Sequence, residues 1–296
     1  MLKPLISSFS TDSLNSLIIK DDRTNFENLG TIQDLVCKDM TVTAGFEAQM
    51  ARDRDLVPAS KDREYYHGDH HMDWWKSGLR DLGGMQRAAS RAGIDFDTCR
   101  YYELGCASGR VVRHVANQTS AEVWCSDINT RHVEWIRMHL SPKINVFNST
   151  AFPSLPLEPA SFDMISAFSV FTHIDDLEMM WLLELRRILS KGGLAYITVA
   201  TEDTWEEYKH GWIKDILTPL ADSIKDYKIC DDLFSGSLPE EKTVFWWPAR
   251  NVYNSTVFHS KSYIRREWGR YFDVIDIIRK GHDYQDVVIL SRPRCK

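Results

Sequence analysis

A chain of 296 residues, 43% hydrophobic and 26% charged, can build one large core or a core with a substantial attachment, because single cores stop growing near ~250 to 300 residues. Its formal net charge of -6, with no long Lys/Arg run, opposes a phosphate backbone, so nucleic acid is not an expected partner. No stretch approaches the ~20 consecutive apolar residues of a membrane span, Met1 to Lys20 lacks the basic start and apolar segment of a signal peptide, and six cysteines without C-x-x-C spacing imply reduced thiols; a cytoplasmic location is expected.

From the start to about Asp97, apolar residues are sparse and punctuated by charge, which predicts a leader of helical character over 1–97. It contains His67-Gly68-Asp69-His70-His71-Met72-Asp73. These are metal-ligand types, but adjacent His70 and His71 point apart on a strand or a helix, and no metal is expected. After Asp97, short apolar runs at Tyr101 to Leu104, Glu122 to Cys125, Ile144 to Phe147, Phe162 to Phe168 and Leu194 to Ala200 suit buried parallel strands. Val133, Ile136 and Leu140 share one helical face after Asn129 or Thr130, as do Leu177, Trp181, Leu185 and Ile188 after Asp175. Asp175 with Glu178 reads as a capping box, and Gly192 with Gly193 as the helix's left-handed stop. Glu202 to Ser260 interrupts the alternation with polar, aromatic-rich sequence and reads as an insertion. Ser262 to Tyr271 then looks helical, and Phe272 to Ile278 with Asp286 to Leu290 like a closing strand pair. The fold expected is α/β, with a doubly wound, mostly parallel Rossmann-like sheet.

The chemistry concentrates in Tyr101-Tyr102-Glu103-Leu104-Gly105-Cys106-Ala107-Ser108-Gly109-Arg110. A strand that stops at small residues and turns into a helix lets a ligand approach the backbone beside a positive helix end. About twenty residues on, the next strand ends at Asp127, an acid that can accept both ribose hydroxyls of an adenosine. A nicotinamide dinucleotide is the rival, but its fingerprint needs G-x-G-x-x-G, and Gly105-x-Ala107-x-Gly109 has no glycine at Val112.

Glu103-Leu-Gly105-Cys-Ala107-Ser-Gly109 resembles the acid-x-Gly-x-Gly-x-Gly motif of class I S-adenosylmethionine-dependent methyltransferases. Asp127 resembles their ribose-binding acid, Ser161 to Ile165 with Phe168 to His173 their fourth strand, and Leu189-Ser190-Lys191-Gly192-Gly193-Leu194 the loop before the fifth. The resemblance covers about two thirds of the chain, from Arg100 to the end, interrupted by the insertion. It implies S-adenosylmethionine as cofactor, with Glu103, Gly105, Cys106, Ala107 and Gly109 at the methionine end and Arg110 on its carboxylate. Asp127 and Ile128 would take ribose and adenine, Asn148 to Ala151 (notably Ser149 and Thr150) would edge the adenine, and Phe168 and Ser169 would close the pocket near the sulfur. Ala107 departs from the glycine of many members, which is tolerable if its backbone is not left-handed. Tyr65, Tyr66 and His67 would belong to a lid. The domains implied are a leader and cofactor lid over 1–97 and a methyltransferase domain over 98–296, with a cap insertion at about 202–260.

Methyl transfer needs an oriented nucleophile and, for a hydroxyl, a base. His173, just beyond the fourth strand, is the first candidate and His259 the second. Trp74, Trp75, Trp205, Trp212, Trp246 and Trp247 could stack on an acceptor, but the blander outcome for most is a buried core. Phe171-Thr172-His173-Ile174, Phe258-His259-Ser260 and Gln285 to Leu290 resemble a bacterial branch associated with surface-glycan assembly. That implies O-methylation of a sugar or other small-molecule or glycan acceptor. The alternatives are methylation of an amine or phenol of secondary metabolism and a silent cofactor-binding scaffold subunit. Oligomeric state is not legible.

Overall fold

The computed structural model describes residues 26–36, 45–208, 236–246 and 255–293. Strand β1 (Asn28–Thr31) leads into helix α1 (Ile32–Val36); after α2 (Glu47–Arg52), β2 (Leu56–Pro58) pairs antiparallel with β1. A 3-10 turn over Ser60–Arg63 precedes the long α3 (His71–Arg91). Then come β3 (Arg100–Leu104), α4 (Val112–Gln118), β4 (Glu122–Asp127), α5 (Thr130–His139), β5 (Ile144–Asn148), β6 (Phe162–Ala167), α6 (Glu178–Ile188) and β7 (Leu189–Val199). The chain continues through α7 (Glu202–Tyr208), β8 (Lys242–Trp246), β9 (Ser255–His259), α8 (Lys261–Glu267), β10 (Asp273–His282) and β11 (Gln285–Ser291).

A seven-stranded sheet has the order β10-β11-β7-β6-β3-β4-β5. The pairs β3 with β4, β4 with β5 and β6 with β7 are parallel, while β11 runs antiparallel to both β7 and β10. This is the doubly wound α/β fold the strand and helix alternation predicts. Strands β3, β6 and β11 are buried almost throughout, as strands covered on both faces must be. No described helix is long and apolar enough to cross a membrane.

The chain forms two compact units, 1–86 with 95–155 and 87–94 with 156–296. In the first, Trp74 and Trp75 are buried with Ile32, Met50 and Val57, so these indoles are core. The buried Arg113 of α4 holds the leader by a two-pronged ion pair to Asp53, with Nε to Oδ2 at 2.8 Å and Nη2 to Oδ1 at 3.0 Å, and Trp75 Nε1 donates to the same carboxylate at 2.7 Å. Burial opposes ionisation of Asp53, but the Arg113 guanidinium holds its carboxyl below the usual range.

In the second unit, Trp205 of α7 stacks on Phe245 at 6.0 Å and meets Phe258 edge-on at 5.3 Å, again as core. Trp212 and Trp247, and the side chain of Trp246, lie outside the described residues. Two local expectations are corrected here. Asp175 does not cap α6: the residue ahead of the helix is Leu177, without a side-chain cap bond. Both acids are drawn instead to Lys242, whose Nζ lies 2.8 Å from Asp175 Oδ1 and from Glu178 Oε2, because one half-buried ammonium shared by two carboxylates outweighs a single cap bond. Gly192 does not stop α6 either. The chain turns extended at Leu189, and Gly192, at φ +80°, lies in the irregularity where β7 pairs with β6 between Phe162 and Met164.

Candidate active site

In the first unit, the turn leaving β3 takes positive φ at alternate residues: +72° at Gly105, +45° at Ala107 and +87° at Gly109. Ala107 is therefore left-handed, contrary to expectation, at a cost of about 1 to 2 kcal/mol. The compensation is visible. The Ala107 amide donates to Asp127 Oδ2 at 2.8 Å, while the Gly105 and Cys106 amides donate to Ser126 O at 2.8 and 3.1 Å. A charge-assisted bond from the strained residue to the acid at the end of β4 locks the turn to that strand. A side chain at Gly109 would be strained by the φ of +87° and would displace Leu140 Cδ1, 2.3 Å from the added Cβ.

Asp127, 7% exposed, also accepts the Asn129 amide on Oδ1 at 2.8 Å. Each carboxylate oxygen thus holds one backbone donor and keeps a second lone pair, enough for a diol. Glu103 is buried at the end of β3, where burial pushes its carboxyl up to about 8 against the pull of Arg110. Arg110 is neither solvated nor idle: Nη1 pairs with Asp81 Oδ2 at 2.5 Å and Ser77 Oγ at 3.2 Å, and its guanidinium lies 5.3 Å from the Tyr66 ring centre. The sequence-predicted Tyr66 is thereby brought to the motif, and His67 sits edge-on to Tyr66 at 4.4 Å. The run Glu64, Tyr65, His67 and Gly68 is left-handed. Nearby, Arg63 Nη2 lies 2.8 Å from His71 Nδ1, a cation where a metal would need a free imidazole, and among the described residues no three His, Cys, Asp or Glu gather as a metal site.

At the end of β5, Ser149 is buried and its amide donates to Asp127 O at 3.0 Å, which sets it beside the acid; Thr150 instead caps its own turn at Phe152. Ile128, between Asp127 and Asn129, is half-buried.

In the second unit, Phe168 and Ser169 follow β6. Ser169 is left-handed at φ +57°, its amide donating to Thr198 Oγ1 at 2.6 Å and its hydroxyl sharing a hydrogen bond with the buried Gln285 amide at 3.0 Å from Nε2. His173, half-buried, is held from β9: Nδ1 lies 2.7 Å from Ser255 O, and Ser255 Oγ donates to His173 O at 3.0 Å. Burial lowers its pKa, opposed by the bond to Ser255. His259 is fully buried, with Nε2 3.3 Å from Glu178 Oε2 and its ring against Tyr263 and Trp268. Burial raises the Glu178 carboxyl, but His259 and Lys242 override it and bring it down to about 2. The two histidines therefore differ: one carries a backbone-fixed ring at a loop, the other is an internal partner of a carboxylate.

Residues 102–197 match the family model described as Methyltransferase domain. The chain carries a methyltransferase domain. It is an enzyme, and S-adenosylmethionine is its cofactor; the small-residue turn, the diol-accepting Asp127 and the buried Ser149 hydroxyl fit that group. No curated protein matches the sequence. Among solved structures, an S-adenosylmethionine-dependent methyltransferase from Clostridium acetobutylicum is similar, with a TM-score of 0.50 and 12% identity over 73% of this chain and 92% of that one. This methyltransferase shares its fold. Also similar are a SAM-dependent methyltransferase from Methanosarcina mazei (TM-score 0.46, 15% identity, 67% of this chain and 93% of that one) and a protein from Pyrococcus horikoshii (0.47, 16%, 72% and 91%).

Sequence reasoning missed Asp81, Ser77, Ser255 and Gln285. Ser77 and Asp81 stand four apart on one helix, a spacing that marks them as one face. Ser255 and Gln285 carry no local signal, since their partners lie 82 and 116 residues away.

Proposed function

We propose that this methyltransferase O-methylates a sugar or other hydroxyl-bearing acceptor, with His173 as the general base. The carrying observation is the 2.7 Å contact from His173 Nδ1 to Ser255 O. A carbonyl oxygen only accepts, so Nδ1 bears the proton and Nε2 is the lone-pair nitrogen. Because burial lowers its pKa, the ring is neutral and ready to accept a proton at neutral pH. A sugar hydroxyl holds its proton tightly and needs such a base during transfer, and ligands of open parallel sheets bind beyond the carboxyl ends of the strands, where His173 follows β6. His259, sealed on Glu178, is assigned a structural part.

S-adenosylmethionine supplies the electrophilic methyl on its sulfonium. The chain's residues then do four things: Asp127 and Ile128 hold ribose and adenine with Ser149 and Thr150 at the edge; Glu103 and the turn through Gly105, Cys106, Ala107 and Gly109 cradle the methionine end; Phe168 and Ser169 line the sulfur side; His173 takes the acceptor proton. Arg110, already committed to Asp81, orders the turn's helix and the Tyr66–His67 lid rather than meeting a carboxylate alone. The leader from about Tyr65 to Trp75 shields the cofactor from water; of the insertion over 202–260, residues 209–235 and 247–254 lie outside the described residues.

Incubating acceptor pools with a heavy-methyl cofactor and reading the products by mass spectrometry tests this. Label on an ether oxygen is expected. Label on nitrogen overturns it in favour of an amine acceptor, and cofactor binding without any label in glycan or metabolite pools favours a silent scaffold.

A further inference from the structure

His132 stands in the first turn of α5 and is 3% exposed. Its Nδ1 lies 4.0 Å from Asp127 Oδ1 and has no hydrogen-bond partner among the described residues. The ring is not loose: it meets Phe26 edge-on at 6.0 Å, Phe26 stacks on Trp135 at 4.9 Å, and the Arg131 guanidinium covers Phe26 at 4.1 Å while pairing with the buried Asp62. A buried imidazole nitrogen left without a partner costs about 1 to 3 kcal/mol, so its fixed direction toward an acid calls for a group between them. The spacing selects that group. Two atoms 4.0 Å apart are too far for a direct bond, but one hydroxyl at about 2.8 Å from each bridges them. It donates to the carboxylate and accepts from the imidazole Nδ1–H. Ser149 Oγ, also buried and without a partner among the described residues, borders the same acid and marks the surroundings as built for a polar ligand.

We propose that His132 is a second recognition residue for the cofactor's ribose, sharing one hydroxyl with Asp127 and so selecting ligands that carry it. This rests on the reading that Asp127 holds the ribose. It adds a contact from the first turn of α5 whose geometry is set by the leader through Phe26 and Asp62. The role is one of positioning and specificity, since the group touched is remote from the transferred methyl.

Calorimetry on the full chain with S-adenosylhomocysteine and its 2′-deoxy and 3′-deoxy analogues tests it. His132→Phe keeps the ring and its packing on Phe26 and is expected to weaken S-adenosylhomocysteine about ten-fold. His132→Asn places an amide nitrogen where Nδ1 stood and is expected to recover most of that loss. With the analogue that lacks the bridging hydroxyl, wild type and His132→Phe should bind equally. If His132→Phe does not fold, His132→Gln carries the comparison, because it moves the donor away from the Nδ1 position. Unchanged affinity in the variant, or the same ten-fold penalty with both deoxy analogues, overturns the assignment. If Asp127→Asn leaves S-adenosylhomocysteine binding untouched, the ribose reading beneath it fails, a result distinguishable because it does not involve His132.

Discussion

The turn after β3 and the loop after β6 are both short segments that leave a parallel strand, yet they are held differently. The first is held by its neighbours: Gly105, Cys106 and Ala107 all donate to Ser126 or Asp127 on the adjacent parallel strand, and the register Glu103 with Cys125 and Leu104 with Ser126 brings those acceptors alongside. The second is held from far along the chain, Ser169 by Gln285 and His173 by Ser255. A turn fixed by strand register needs only small residues and one acid at short spacing. A loop fixed by distant partners carries no local signal of how it is held.

The comparison is broken most directly at His173. His173→Asn retains an N–H toward Ser255 O but deletes Nε2, and turnover is expected to fall about 10²- to 10⁴-fold with S-adenosylhomocysteine affinity unchanged; steady-state kinetics beside calorimetry decide it. Because burial lowers the wild-type imidazole pKa, the midpoint of the rising limb of the pH–rate profile should lie below the ordinary histidine value of about 6.5. Near-normal turnover in His173→Asn would remove the base and favour an amine acceptor.

The next effect is on stability. Glu178 ties α6 to β8, β9 and Trp268 through Lys242 Nζ, His259 Nε2 and Trp268 Nε1. Glu178→Gln should cost on the order of 3 kcal/mol near neutrality, because the buried carboxylate that gathers Lys242, His259 and Trp268 is lost. Against burial, its partners hold the folded carboxyl down at about 2, against an ordinary 4.5, so its contribution is complete above 4.5 and lost as pH falls through 2. Chemical denaturation across that window should show the slope in wild type and not in the variant.

On the cofactor side, Asp127→Ala should weaken S-adenosylhomocysteine about 100-fold by calorimetry, since charge-assisted bonds of about 1.5 to 3 kcal/mol each are lost. An unchanged dissociation constant in the folded variant would detach Asp127 from the site. The smallest effect sharpens the account of the turn: Ala107→Gly relieves a left-handed alanine and should raise stability by up to about 1 kcal/mol in melting experiments, whereas a loss would mean that unfolded-state entropy outweighs the strain.

Strand runs at Tyr101, Glu122, Ile144 and Phe162 were legible because two-faced burial makes nearly continuous apolar sequence. The small-residue turn and Asp127 were legible for a related reason: close backbone approach and a strand-end acid impose residue types at short, regular spacing. The sequence also offered Asn129 or Thr130 as the start of α5, and it is the Asn129 side chain that caps the helix by accepting from the Arg131 amide. The capping box at Asp175 and the glycine stop at Gly192 failed because each is a local rule, worth about 1 kcal/mol, that the Lys242 ammonium or a strand irregularity overrode. Conformation at Ala107 was likewise undecidable from residue type, since only the bond to Asp127 offsets its strain. What the sequence by itself determined was the alternation of strands and helices from Tyr101 to Ala200 and the small-residue turn with its strand-end acid, while the leader, expected to be helical, also holds the β1–β2 pair. That His173 Nδ1 faces Ser255 O while His259 faces Glu178, and that His132 stands 4.0 Å from Asp127, the tertiary structure decided, because partners separated by tens of residues set the direction of a ring.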